Sequence, residues 1–285
     1  MKLAVIHAGT FKLDGGAMFG VVPKSLWEKA NLPDARNLCT WAMRCLLIDR
    51  GDRRVLIDTG MGDKQDAKFF SYYQPEQPDA LRQSLQANGY DFEDITDVLL
   101  THLHFDHVGG ALYRSEDGSI RPRFPKATYW TSREHWAAAT QPNERERASF
   151  LTENILPLQE LGRLRFFEEA DLSALMPELR LHYVCGHTES MVLVQIEWGG
   201  KTILYCADLI PSAAHIPLPW LMAYDVRPLI TLQEKQRFLH EAAAKGWILF
   251  FEHDPINECA TVQETERGVR LKETFALSAA GGMSG

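Results

Sequence analysis

A chain of 285 residues, 45% hydrophobic and 24% charged, is long enough to bury a substantial core and is unlike an extended disordered segment. Its formal net charge of −8 disfavours polyanions, which argues against a nucleic-acid partner and leaves small neutral or cationic substrates open. Five cysteines at irregular spacings fit reduced thiols better than a disulfide framework or zinc knuckle, and no window approaches the ~18 consecutive apolar residues that a membrane helix needs.

Met1 to Ile6 is too short for a secretory signal, so a cytoplasmic protein that leaves membranes alone is expected. Cys39 to Asp49 and Arg54 to Asp58 are apolar runs joined by Arg50-Gly51-Asp52-Arg53, the pattern of a β-hairpin. Pro78 to Asn88, with Leu81 and Leu85 four apart and Gly89 as a stop, predicts a short helix. Ile95 to Leu100 predicts a buried strand. Ala127 to Trp130 reads as a strand, Ser132 to Ala139 and Glu144 to Leu161 as helices, and the whole of 111–178 as an insertion between two halves. Leu179 to Val184, Met191 to Glu197 and Lys201 to Cys206 read as strands, the last two joined by Trp198-Gly199-Gly200. Thr231 to Lys245 predicts an amphipathic helix and Trp247 to Phe251 an apolar strand. This alternation suggests one α/β domain over 1–275, with a flexible tail over 276–285.

Chemistry concentrates after the strand at 95–100. His102, His104, Asp106 and His107 place three imidazoles and a carboxylate within six residues, followed by Gly109-Gly110. At a strand end, alternate residues share a side, so His102 and His104 can meet one cation while Asp106 and His107 turn toward another. Imidazole with carboxylate is the donor set that borderline cations such as zinc select. His187, Asp208 and His253 each follow a further strand-like run and could gather with them.

These residues, read as THxHxDHxGG, then GHT, then an Asp closing an apolar strand, then a late His, resemble the metallo-β-lactamase superfamily. The resemblance implies a four-layer αββα sandwich. It implies that His102, His104 and His187 hold a first metal, that Asp106, His107 and His253 hold a second, and that Asp208 bridges them. Asp58 resembles the Asp that orients a ligand histidine from behind. Two divalent cations are implied, zinc first, with iron, cobalt or manganese compatible with the same donors. A bridging hydroxide would then be the nucleophile, Asp208 holding the pair and Asp106 serving as proton shuttle.

Within the superfamily, the segments Asp14 to Lys24 and Asp208 to Pro217 resemble quorum-quenching N-acyl-homoserine lactonases and methyl parathion hydrolase-like members. That implies hydrolysis of a lactone or related ester, with phosphotriester, phosphodiester or glyoxalase II-like thioester hydrolysis as alternatives. It implies an N-terminal lid over 1–38, on which Met18, Phe19 and Trp27 would form an apolar substrate wall. Some lactonases place a Tyr after the bridging Asp; here Pro211 and Ser212 stand there. His215 is therefore the candidate donor or proton relay, with Tyr224 a weaker one. The expected partner is a small-molecule substrate, and a homodimer is the alternative to a monomer.

Overall fold

The computed structural model describes residues 1–167 and 175–281. The chain divides into two compact units, one of Met1–Phe11 with Ala42–Leu175 and the other of Lys12–Trp41 with Met176–Gly285.

The first unit is built on β1 (Lys2–Asp14) as far as Phe11, β2 (Leu38–Asp49) from Ala42 onward, β3 (Arg54–Ile57), β4 (Asp97–Leu99), β5 (Leu112–Arg114), β6 (Ile120–Pro122), β7 (Thr128–Thr131) and β8 (Leu164–Phe166). Six of these form a sheet in the order β1-β2-β3-β4-β7-β8, and β5 pairs with β6. The hairpin is antiparallel, with Leu46 opposite Ile57 and Asp49 opposite Arg54. Its turn closes where Asp49 Oδ1 accepts from Gly51 N at 2.6 Å and Gly51 takes a φ of 98°. Beyond the hairpin, β3, β4, β7 and β8 run parallel. Parallel strands are usually covered on both faces, which accounts for the unbroken apolar runs Val55-Leu56-Ile57 and Val98-Leu99-Leu100, all buried.

Several expected boundaries move. Residues 111–178, read as an insertion between two halves, contribute β7 and β8 to the sheet beside β4, with the helices Arg133–Thr140 and Thr152–Glu160 between them; residues 168–174 of that stretch lie outside the described residues. The helix expected over 144–161 is confined to Thr152–Glu160. Ahead of it, Asn143 Oδ1 accepts from the backbone N–H groups of Arg145 and Glu146, so this polar stretch closes on itself as a turn. Residues 2–14, placed in a lid by sequence, are an edge strand, and only 15–37 form short helices and turns.

The second unit carries β9 (Leu179–Val184), β10 (Met191–Trp198), β11 (Lys201–Tyr205), β12 (Ile248–Phe250), β13 (Cys259–Gln263) and β14 (Arg270–Phe275), in the order β14-β13-β12-β11-β10-β9. Gly199 and Gly200, both at positive φ, make the tight β10–β11 turn. β10 is antiparallel to both β9 and β11, while β11 is parallel to β12. It follows that β9, β11 and β12 all point one way and end on one edge. The helix Pro228–Lys245 begins with Pro in its first turn and stops at Gly246 in the left-handed region. Within the tail expected to be flexible, Leu277–Gly281 is helical, with Leu277 and Ala280 buried, and residues 282–285 lie outside the described residues. Among the described residues, no helix is long and apolar enough to cross a membrane.

Candidate metal centre

In the first unit, β3 and β4 deliver Asp58 and the histidine segment to the same edge. β4 ends at Leu99, and the chain continues into a short helical turn at Phe105–Val108 that carries Asp106 and His107. His102, His104, Asp106, His107 and Asp58 are all buried. His102 Nε2 lies 3.1 Å from His104 Nδ1, and His107 Nε2 lies 3.8 Å from Asp106 Oδ2.

Asp58 organises this half. Its Oδ1 accepts from Thr101 N at 2.8 Å, and its Oδ2 accepts from Thr101 Oγ1 at 2.6 Å. The same Oδ2 is 3.2 Å from His107 Nδ1. A carboxylate only accepts, so His107 carries its proton on Nδ1 and turns the Nε2 lone pair outward. Thr101 has already given its single O–H to Asp58. Its 3.1 Å contact with His102 Nδ1 must therefore be accepted from His102, which fixes the same tautomer there. Asp58 holds this position at a φ of 58°, a left-handed conformation that costs a non-glycine residue about 1 kcal/mol or more and persists only under such restraint.

In the second unit, His187 follows β9, Asp208 follows β11 and His253 follows β12, so parallel strand direction brings all three to one edge. Asp208 Oδ2 lies 3.2 Å from His187 Nε2, and Oδ1 lies 3.1 Å from His253 Nε2. One carboxylate thus faces two imidazoles with different oxygens. His187 Nδ1 is 3.1 Å from Asp225 Oδ1 and carries its proton there, which leaves an Nε2 lone pair facing a carboxylate oxygen. Two acceptors at that distance repel unless a cation joins them. A second proton on the imidazole or a divalent metal meets that need, and the imidazole-carboxylate donors fit zinc-like ions.

The surroundings of His187 are as tightly specified. Glu234, on the helix Pro228–Lys245, accepts from Cys185 N at 2.7 Å and Gly186 N at 3.0 Å. A Cβ on Gly186 would come 2.3 Å from Thr231 N, so only glycine lets this helix approach. Burial of the Glu234 carboxyl raises its pKa, the two backbone hydrogen bonds pulling the other way.

Met18, Phe19 and Trp27, expected as an apolar substrate wall, are 1%, 0% and 2% exposed. Phe19 stacks on Trp27 at 5.2 Å and on His215 at 4.8 Å, an aromatic core inside the second unit. His215, expected as a donor or proton relay, has both ring nitrogens engaged: Nδ1 is 2.8 Å from Ser212 Oγ and Nε2 is 2.9 Å from the carbonyl of Met18. Burial pushes its pKa down to about 3, so it is a neutral tether between the loop after Asp208 and the segment after β1. Tyr224 is 38% exposed.

Sequence reading missed an aromatic group in the first unit. Phe105 lies between two candidate ligands, and the helix Ala67–Tyr73 sets Phe69 at 5.2 Å and Tyr73 at 4.5 Å from its ring. Phe69 and Tyr73 are partly exposed, and the Tyr73 hydroxyl is made less acidic by burial and then by the charge of Asp106. The run Phe69-Phe70-Ser71-Tyr72-Tyr73 was the available signal.

Imidazoles locked in one tautomer and carboxylates between them, at the carboxyl ends of mixed-sheet strands, define a metal-binding α/β protein. The family described as Metallo-beta-lactamase superfamily matches residues 44–253, and the chain belongs to it. Among curated proteins it is 26% identical to Integrator complex subunit 11 of Danio rerio over 67% of this chain, spanning only 31% of that relative. It is 28% identical to a probable metallo-hydrolase of Mycobacterium tuberculosis over 74% of each chain. It is 24% identical to an N-acyl homoserine lactonase of Bacillus thuringiensis over 89% of this chain and 93% of that one. Among solved structures, a probable metal-dependent hydrolase from Staphylococcus aureus superposes with a TM-score of 0.84 at 25% identity, covering 96% and 98% of the two chains. The dizinc quorum-quenching lactonase AidC shares the fold, with a TM-score of 0.78 at 22% identity over 97% of each chain. This is a metal-dependent hydrolase of the metallo-β-lactamase fold.

Proposed function

We propose that the chain hydrolyses lactones, using His102, His104, His187, Asp106, His107 and His253 to hold two divalent cations with Asp208 as the shared carboxylate. The observation that carries this reading is Asp208 itself, whose two oxygens face the Nε2 atoms of two different histidines. The Bacillus thuringiensis relative, similar over most of both chains, favours a lactone among the family's substrates.

When bound, a pair of divalent cations supplies Lewis acidity and makes water nucleophilic at neutral pH. Asp208 holds its orientation at the end of β11. Asp58 and Asp225 keep the ligand histidines aimed. In ring opening, water adds to the carbonyl carbon, the ring carbon–oxygen bond breaks, and the leaving oxygen needs a proton. Asp106, buried beside His107, is the group assigned to hold and deliver it. The Phe69, Tyr73 and Phe105 rings offer the acyl part of the substrate an apolar surface beside these groups.

The test pairs metal content with substrate preference. Two zinc ions per chain and turnover of an N-acyl-homoserine lactone, followed by proton release and abolished in Asp208→Asn, are expected. A single ion, or undiminished turnover after exhaustive chelation, would refute the dinuclear part. A clear preference for a nitrophenyl phosphotriester would replace the lactone with that substrate.

A further inference from the structure

We infer that Lys64 is a positioning residue for the metal site, a side-chain amine buried behind the ligand-bearing turn that pins it against the loop following β3. The inference rests on the assignment of Asp106 and His107 as ligands.

The two segments touch backbone to backbone. A Cβ on Gly109 would fall 1.9 Å from the carbonyl oxygen of Met61, and one on Gly110 would fall 2.1 Å from that of Thr59. Across this seam His107 O accepts from both Thr59 N and Thr59 Oγ1 at 2.8 Å, and Gly110 N donates to Gly60 O at 2.8 Å. Such contact leaves the carbonyls at the end of the turn with few ways to be satisfied. Lys64 answers this from inside, its Nζ donating to Gly109 O and, at 3.0 Å, to Leu112 O. It is only 7% exposed. Arg123 closes the neighbouring carbonyl from outside, with Nε 3.0 Å from Gly110 O and Nη2 2.6 Å from Asp63.

Lys64 and Arg123 therefore cap the consecutive carbonyls of Gly109 and Gly110 at the end of the turn that begins at Phe105. Since the seam also carries Asp58, which aims His107, a shift of the turn relative to this loop misdirects His107 and Asp106 together. Removing Lys64 is expected to loosen metal retention.

The decisive measurement is zinc titration of the metal-free full chain against a chromophoric chelator, with thermal unfolding recorded on the metal-free form. Lys64→Met keeps the stem and removes the donors. One zinc equivalent is expected to weaken by about 10- to 100-fold, the range for loss of groups that orient ligands, while the other changes little. Lys64→Gln, able to donate to one carbonyl, should lie between, and it replaces Lys64→Met if that variant does not fold. Trp130→Phe removes a hydrogen bond of 2.9 Å to the buried carboxylate of Asp97, at the opposite end of β4 from the site. It should lower the unfolding temperature without moving either zinc affinity. Wild-type affinities in both Lys64 variants would overturn the inference, as would equal losses in Lys64→Met and Trp130→Phe. If the wild type binds only one zinc, the dinuclear reading fails separately, and the ratio of wild-type to variant affinity for that ion still decides the role of Lys64.

Discussion

His102, His107 and His187 each give their Nδ1 proton to an oxygen of their own unit: Thr101 Oγ1, Asp58 Oδ2 and Asp225 Oδ1. Orientation thus depends on residues that would never touch a metal. Asp58→Asn tests this most sharply. The amide can still accept from Thr101 N, but its NH2 then meets the Nδ1–H of His107, donor against donor. Metal affinity is expected to fall by about 10- to 100-fold, read by chelator competition, with the fold retained. His215 makes the opposite case. His215→Phe keeps a ring for the stack on Phe19 and the tilted contact with Trp41 while stranding Met18 O and Ser212 Oγ. Stability should drop by about 1–3 kcal/mol, whereas kcat should change by less than the 10²- to 10⁴-fold that loss of a general acid-base group brings. The pH dependence has a definite sign. A histidine near pKa 3 when folded and about 6.5 when unfolded gives the unfolded chain the extra proton between those values. Its contribution is present above about pH 6.5 and fades as pH falls toward 3. Urea unfolding of metal-free wild type and His215→Phe across that window should therefore converge in acid. The sequence could not disclose this role, because the partner carbonyl lies 197 residues away.

Elements were legible where burial is one-sided in sequence terms and obscure where it is not. The hairpin of β2 and β3, and the strands at 179–184, 191–198 and 201–205, are compact apolar runs bounded by polar or glycine turns, and they lie close to their expected limits. β14 was missed because Arg270, Lys272, Glu273 and Thr274 make an edge strand that reads as loop. The helix Ala67–Tyr73 was missed for a related reason: it buries no residue fully and is aromatic rather than periodic. The segment Cys185-Gly186-His187 shows how an element acts on the site. Its glycine is needed because the helix Pro228–Lys245 arrives at Thr231 with no room for a methyl group. Gly186→Ala should force either the helix or His187 to move, costing about 1–3 kcal/mol, the usual range for overpacking. Chemical denaturation measures that loss, and a simultaneous drop in zinc affinity would locate the movement at His187. Unchanged stability and affinity would mean that the helix yields freely.

Across the whole molecule, seven candidate ligands could be read from the sequence, but the division into compact units could not. Residues 12–41 pack with 176–285 although 134 residues separate them, the difference between 41 and 176 less one, and no shift in composition marks either boundary. Metal binding offers a test at this scale. An ion that binds only the folded chain stabilises it by about 2.7 kcal/mol at one hundred times its dissociation constant. In a chain of this size each kcal/mol moves the unfolding temperature by roughly 2–4 °C, so each saturated site should raise it by roughly 5–10 °C. Loading zinc into chelator-stripped protein should thus give two increments, resolved by titration if the affinities differ. Asp208→Asn, which alters the carboxylate facing both His187 and His253, should diminish both increments. Asp106→Asn should diminish one and leave the other near its wild-type value. An unfolding temperature indifferent to zinc would argue that these buried histidines and carboxylates are joined by protons instead, and the assignment of two cations to them would have to be given up.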